Sequence, residues 1–321
     1  AIAQPNAGAV AAVWLGLGVV LYRAVFASRA QVVDAAAEGG DDELVRLRGR
    51  SPLMLVPVNN PDNAGALVQL ASALTPPQIG KVLLLSVVRR GTLDPAAEIE
   101  ESLAPIQRGM QRAYEAGRFP ESMTTIGDDP WAEIARVARE RECERMLLGL
   151  THLEGDSTVE RLEDLINQVD CDLSILRAPT GWDINQVKRI LVPVGGQGNH
   201  DELRARLLAS LGRNPGGHIT FLRIVKPSLS ASECSALKRS LERSVPSVIA
   251  REFTVKVVQS AEVRETIMAH VAECDLVVLG LQRTGQHRKA FGQLSLDLAR
   301  ETETAMVMLG GRQGRSFGWR P

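Results

Sequence analysis

Glycine and basic residues in the second half of the chain have the composition of an anion-binding site. Gly195, Gly196 and Gly198 form a Gly-Gly-Gln-Gly turn immediately before a predicted helix. Glycine lets backbone amides approach a ligand closely, and the free amides of a helix N-terminus attract phosphate. A second loop adds positive charge through Arg283, His287, Arg288 and Lys289. The pattern indicates a phosphate or nucleotide site, and the alternative is a glycine turn beside a solvated basic loop.

Motifs for catalysis and metal binding are missing from the sequence. There is no Gly-x-Ser-x-Gly elbow, no His-Glu-x-x-His and no Walker loop. The five histidines have no ligand spacing and the four cysteines form no Cys-x-x-Cys pair, which predicts buried, reduced thiols in a cytosolic setting. We therefore expect neither an enzyme nor a metal site.

Two segments recur along the chain at nearly the same interval. The Val-Pro-Val sequence at 56–58 returns at 192–194, and the segment 143–150 returns in similar form at 274–281. The intervals are 136 and 131 residues, far longer than the periods of solenoids and propellers. The recurrence predicts a duplicated domain, and a length of 321 residues fits two domains.

Each copy alternates buried apolar runs with helical patterns. The predicted strands of the first copy lie at 53–58, 82–88, 123–126, 146–149 and 173–177, and those of the second near 189–194, 218–225, 252–258, 275–280 and 304–309. Asp129-Pro130 is a typical helix start, with a capping side chain followed by proline. Strands that alternate with helices predict an α/β fold, with a five-stranded parallel sheet in each copy.

The overall charge gives no sign of a nucleic-acid partner, and none is expected. The net charge is −1 at pH 7, so the chain as a whole has no field that would attract a polyanion.

The N-terminal segment has a different composition from the rest. No charge occurs before Arg23, and 7–22 is apolar throughout, which is just long enough for a membrane span of about 20 residues. Basic residues follow the apolar run, which places 23–321 in the cytoplasm. We interpret 1–30 as the last transmembrane helix of a larger membrane protein and 31–50 as a juxtamembrane linker. The alternative is a buried helix of a soluble protein.

The order of elements, the opening Leu-Val-Pro-Val strand and the fourth strand ending in glycine resemble the universal stress protein family. The resemblance covers residues 51 to 311 and implies two tandem domains, at 51–180 and 181–321. With an apolar helix in front, the arrangement is similar to amino acid permeases and cation-chloride cotransporter relatives of the amino acid–polyamine–organocation superfamily. Some of these carry such domains after their last helix.

Nucleotide-binding members of the stress protein family have an Asp after strand one and a Gly-x2-Gly-x9-Gly-Ser/Thr loop after strand four. In the first copy Asn59 replaces the Asp, while His152 and Leu162 stand at the later glycine positions. Acidic residues crowd this segment and would repel phosphate: Glu154, Asp156, Glu160, Glu163 and Asp164. The resemblance therefore implies that the first copy has lost the site.

In the second copy Gly195 replaces the Asp, and the loop begins at Gly280. Arg283 and Gln293 stand at the later glycine positions, although Gly292 lies one residue away. The resemblance leaves ATP or another nucleotide possible in this copy, and no other cofactor is expected.

Two functions follow from this interpretation. The first is a cytoplasmic regulatory or assembly region of a membrane transporter, of amino acid permease type, whose partners are the membrane, the transmembrane part and a further copy of the chain. The alternative is a soluble tandem stress protein that binds a nucleotide.

The closing strands of both copies are apolar, and unpaired apolar edges aggregate. Since stress proteins commonly pair through these strands, we expect 171–177 to lie beside 304–309.

Overall fold

Short apolar runs form the strands of one central sheet. The computed structural model describes Trp14 and residues 52–76, 80–89, 95–150, 156–195, 201–211, 217–245, 252–281 and 291–311. In these ranges the strands are β1 Leu53–Pro57, β2 Lys81–Arg89, β3 Glu121–Gly127, β4 Arg145–Leu150, β5 Asp172–Arg177, β6 Arg189–Pro193, β7 His218–Val225, β8 Phe253–Gln259, β9 Leu276–Gly280 and β10 Ala305–Gly310. Each coincides with a strand predicted from the sequence.

Helices connect most of the strands. Over the same ranges they are α1 Pro61–Leu74, α2 Pro95–Glu115, α3 Pro130–Glu140, α4 Asp156–Gln168, α5 Asp201–Leu211, α6 Ala231–Ser244, α7 Val263–Val271 and α8 Gln293–Glu301, and a 3₁₀ turn spans Ile184–Gln186. The predicted start of α3 is confirmed, because the Asp129 side chain accepts a hydrogen bond of 3.1 Å from the Trp131 amide. Asn60 caps α1 in the same way, accepting from the Asp62 amide at 2.9 Å.

The strand order is β3-β2-β1-β4-β5-β10-β9-β6-β7-β8. The first half (β1–β5) and the second half (β6–β10) therefore have the same internal order, read outward from the middle of the sheet. All ladders between described strands are parallel except the one between β5 and β10. The expected α/β fold is confirmed, and the ten described strands form one mostly parallel sheet; the division into two tandem five-stranded domains stays a prediction.

The ladder between β5 and β10, which we call the seam, joins the halves. It is antiparallel, with Met306 opposite Arg177 and Gly310 opposite Leu173, so the predicted pairing of 171–177 with 304–309 is confirmed. Ile175 lies opposite Met308. In each half, the next residue of the closing strand pairs with the last glycine of the fourth strand, so Ile175 and Met308 hold equivalent positions. The seam is thus centred on two equivalent residues, as in a local twofold arrangement.

Both faces of the sheet are covered by helices, as a mostly parallel sheet requires. On one face α1, α2 and α5 bury residues such as Leu70, Ile106 and Leu207 in a core that continues through both halves. On the other face α3, α4, α7 and α8 do the same with residues such as Leu162 and Leu298. Because each core spans both halves, the seam is the middle of the hydrophobic interior.

The predicted transmembrane helix at 1–30 and linker at 31–50 lie outside the described residues, apart from Trp14. Within the described ranges, no helix is both long enough and apolar enough to cross a membrane. The domain boundaries at residues 30, 50 and 180 stay predictions.

Candidate functional site

The predicted anion site lies where the parallel strands of the second half end. β6 and β9 are neighbours in the sheet and run in the same direction. Gly195 follows β6 by two residues, and Gly280 is the last residue of β9. The carboxyl edge of the sheet therefore brings these two predicted residues to one place, which is where open parallel sheets bind ligands.

Gly195 has a backbone conformation that other residues rarely adopt, with φ of +152°. The space beside it is also occupied. A Cβ atom at this position would lie 2.4 Å from Nη1 of Arg223. Glycine at 195 thus permits an arginine side chain to lie directly against the end of β6.

Arg223 is a basic residue of this edge that the sequence patterns did not single out. It lies near the end of β7, and its Nη1 donates a hydrogen bond of 3.2 Å to the carbonyl oxygen of Val194. Its Nε is buried and has no hydrogen-bond partner among the described residues. The guanidinium is therefore held beside Gly195 with its Nε donor unused among the described residues, and Arg is suited to binding phosphate or carboxylate.

Gly292 lies at the start of α8, in a position that does not require glycine. It is the N-cap, with φ of −72° and no side-chain cap hydrogen bond. A Cβ atom added there would meet nothing within 4 Å, so this position does not require glycine for space or for its backbone angle. Any role of Gly292 in a ligand site would come from the helix N-terminus that it precedes.

Five of the predicted site residues lie outside the described residues: Gly196, Gly198, Arg283, Arg288 and Lys289. The loops that would complete the site therefore lie outside the described geometry as well. Gly195, Gly280 and Gly292 remain candidate ligand-binding residues, and Arg223 joins them.

The corresponding edge of the first half is built differently. A Cβ atom on Gly149 would lie 2.8 Å from a methyl carbon of Leu67, so a leucine side chain from α1 packs against the end of β4. Ser86 of β2 holds the position that is equivalent to Arg223 of β7. In each half, this residue follows the leucine that pairs with the proline at the end of the first strand. The first half therefore presents an apolar side chain and a buried serine where the second presents a guanidinium.

The cysteines are free thiols, and Cys143 and Cys171 are buried. Burial raises the pKa of the Cys143 thiol to about 11, so it is protonated at neutral pH and unsuited to act as a nucleophile. In the described part of the chain, no group of three or more His, Cys, Asp or Glu residues is placed to hold a metal ion.

The fold is similar to solved structures of two kinds. One is a universal stress protein from Archaeoglobus fulgidus DSM 4304, with a TM-score of 0.55, 15% identity, and coverage of 83% of this chain and 98% of that one. The other is the cytoplasmic domain of a prokaryotic cation chloride cotransporter, with a TM-score of 0.55, 12% identity, and coverage of 81% and 96%. At these identities the similarity establishes the fold.

A curated relative is the Na(+)/H(+) antiporter NhaS5 of Synechocystis sp. (strain ATCC 27184 / PCC 6803 / Kazusa), which is 20% identical over 288 residues. The alignment covers 87% of this chain and 41% of the antiporter, so the chain spans about two fifths of that relative's length. No model of a known protein family matches the chain. Taken together, sequence pattern, topology and structural neighbours show an α/β fold of the universal stress protein kind.

Proposed function

We propose that the chain is a cytoplasmic regulatory or assembly region of a membrane transporter. The observation that carries the proposal is the similarity to nearly all of a cotransporter's cytoplasmic domain, at 96% coverage of that domain. The antiporter relative supports the same class, because it aligns with 87% of this chain. In this proposal residues 1–30 anchor the region in the membrane, and 51–180 and 181–321 are tandem stress-protein-like domains that act on transport without carrying out catalysis.

The supporting relatives handle inorganic ions by name, so a cation transporter is the first type to test. The amino acid permease type stays a prediction. Assembly into a homo-oligomer also stays a prediction, and the covered seam implies that a second copy would contact helices or the outer strands β3 and β8, which lie at the two ends of the sheet order.

The test compares transport with and without the folded region. In cells that carry the gene, the coding segment for 52–311 is deleted, and cation/proton exchange is followed with a pH-sensitive dye in inverted membrane vesicles. We expect the dependence of exchange on pH or cation concentration to change while the remaining protein still reaches the membrane. Unchanged exchange at an unchanged amount of membrane protein would contradict the proposal.

A second candidate function is favoured by Arg223. Its guanidinium beside Gly195 supports binding of ATP or another phosphate compound at the carboxyl edge of the second half. Calorimetry with ATP should show weaker binding for Arg223→Gln and for the double change Arg288→Glu and Lys289→Glu, and unchanged binding for Arg239→Gln on α6. Absence of heat for the unaltered chain at millimolar ATP would remove this candidate.

A further inference from the structure

A polar cleft of about 500 Å³ opens between helices of the two halves. Its walls come from α1 and from the end of α2 in the first half, from the 3₁₀ turn that connects the halves, and from the end of α5 in the second half. The cleft is separate from the carboxyl edge of β6 and β9, since neither Gly195 nor Gly280 contributes to it. Its volume falls in the range of small-molecule sites, roughly 300–1,000 Å³.

The lining contains charges of both signs in equal number. Arg112 and Arg118 provide two guanidinium groups, and Glu115 and Asp183 provide two carboxylates. A ligand that matches such a lining carries both signs itself, because a simple anion or cation would meet a group of its own sign in the same cleft. The lining therefore favours a zwitterion over a phosphate compound.

Arg112 is available for a ligand carboxylate at little cost. Its Nη1 pairs with Glu115 at 3.2 Å, and the two side chains are 59% and 51% exposed. An exposed pair of this kind contributes about 0 to 1 kcal/mol, so sharing the guanidinium with a second carboxylate sacrifices little. Arginine has five N–H donors, and one of them serves this pair.

Asp183 offers the opposite charge in the same cleft. Its Oδ1 accepts hydrogen bonds from the backbone amide and the side-chain amide of Asn185, at 2.9 and 3.0 Å. Those bonds hold the carboxylate at the start of the 3₁₀ turn, and since both use Oδ1, none of the described residues is shown to donate to Oδ2, which can accept from an ammonium group. A rigid carboxylate loses little freedom on binding, which favours affinity.

Gln69 adds an unused polar group from α1. Its Oε1 is shielded from solvent and has no hydrogen-bond partner among the described residues, although the side chain lines the cleft. A buried acceptor without a partner costs about 1–3 kcal/mol. The terminal torsion of Gln is soft, so the amide can turn toward a ligand N–H group and recover that cost.

We propose that this cleft binds a small zwitterion, an amino acid or a dipeptide, with its carboxylate on Arg112 and its ammonium group on Asp183, and with Gln69 as a further acceptor. Because the three side chains come from different elements, the ligand bridges α1 and α2 to the connecting turn. Its use as the signal that regulates transport rests on the function proposed above, whereas the binding itself does not.

The test measures binding to the full 321-residue chain. Free L-amino acids and the dipeptide Ala-Ala are screened one at a time at millimolar concentration by thermal shift, and those that stabilise the chain are titrated by calorimetry. Acetate and methylammonium, which carry one charge each, serve as ligand controls. We expect at least one zwitterion to raise the melting temperature, since a ligand that binds only the folded state stabilises it, and neither control ion to do so.

Two variants and one matched control locate the site. Asp183→Asn removes the charge but keeps an oxygen that can cap the 3₁₀ turn, and Arg112→Ala removes the guanidinium. Each should weaken binding by about two- to fivefold. Arg108→Ala is the control, because Arg108 lies one turn earlier on α2, is 57% exposed and pairs with Asp62 at 3.2 Å, yet does not line the cleft.

Three results would overturn the proposal: no stabilisation by any zwitterion, equal stabilisation by acetate or methylammonium, or equal loss of affinity in Arg108→Ala and Arg112→Ala. Binding with unchanged transport would leave the zwitterion site standing and would count against the regulatory role alone. The two proposals can thus fail separately.

Discussion

The seam between β5 and β10 should be a main source of stability, and Ile175 tests this directly. Ile175 is 0% exposed and lies opposite Met308, which is also 0% exposed. Ile175→Ala removes buried carbons from the middle of the sheet, where neighbours on both strands limit collapse, and should cost about 2–5 kcal/mol. The control is Ile126→Ala on the outer strand β3, where the side chain is 53% exposed and the expected cost is about 1 kcal/mol or less.

The free energy of unfolding is measured by urea titration, followed by circular dichroism and by tryptophan fluorescence. Because Ile175 and Met308 are in contact range, Met308→Ala combined with Ile175→Ala should give a coupling energy of about 0.5–3 kcal/mol. A lysine at Ile175 or at Val307 should be more damaging, since an ammonium group would enter an apolar interior. Equal costs for Ile175→Ala and Ile126→Ala, or strict additivity with Met308→Ala, would refute the assignment of stability to the seam.

Further predictions concern the start of β6, a buried thiol and the end of β6. Asp275→Ala should lower the free energy of unfolding by about 1–2 kcal/mol at pH 7, because the carboxylate accepts hydrogen bonds of 2.8 Å from the Arg189 amide and from its guanidinium. Burial raises the pKa of Asp275, but its hydrogen bonds and the charge of Arg189 together lower it by more. In urea titrations the difference in stability between wild type and variant should therefore shrink as pH falls through that pKa. Burial raises the pKa of Cys143 from 9.0 to about 11, so the contribution of this thiol to stability is present below pH 9 and is lost as pH rises toward 11. Alkylation of Cys143 at pH 8, distinguished by peptide mapping from that of the partly exposed Cys234 and Cys274, should be slow in the native chain and fast in urea, and rapid native labelling of Cys143 would contradict its burial. Gly195→Ala should lower the free energy of unfolding by about 1–3 kcal/mol, because residue 195 has a positive φ and because the added Cβ would meet Arg223. Urea denaturation of Gly195→Ala with and without Arg223→Ala separates the cost of the backbone angle from the cost of the contact.

Much of the fold was predictable because its strands are buried on both faces. A strand in that position reads as a continuous apolar run, as in Val-Leu-Leu-Leu of β2 or Leu-Val-Val-Leu of β9. The repeat supplied the order of elements twice, and the apolar closing strands indicated the seam. The register that places Ile175 against Met308 did not follow from the sequence, because it depends on how far the two halves slide along each other.

The candidate site was only partly predictable. Glycines after strands are visible as a sequence pattern, so the sequence alone points to Gly195 and Gly280. Arg223 was missed because it stands inside a strand, where one polar residue among Phe221, Leu222 and Ile224 suggests a solvent-facing position. Only the pairing of β7 with β6 brings its guanidinium to Gly195, and the cleft near Asp183 likewise depends on helices from both halves meeting.

The central position of the seam has a consequence for biosynthesis. β5 is complete at residue 177, but its partner β10 begins at residue 305 and is the last strand of the described chain. At about 5–20 residues per second, the ribosome needs roughly ten seconds to deliver that partner. During this interval β5 is an apolar strand with a free edge, the kind of surface that pairs with other chains. A nascent chain that stalls between the halves should therefore be the most aggregation-prone species of this protein, and chaperone binding in translating cells should peak while residues 178–304 are being made.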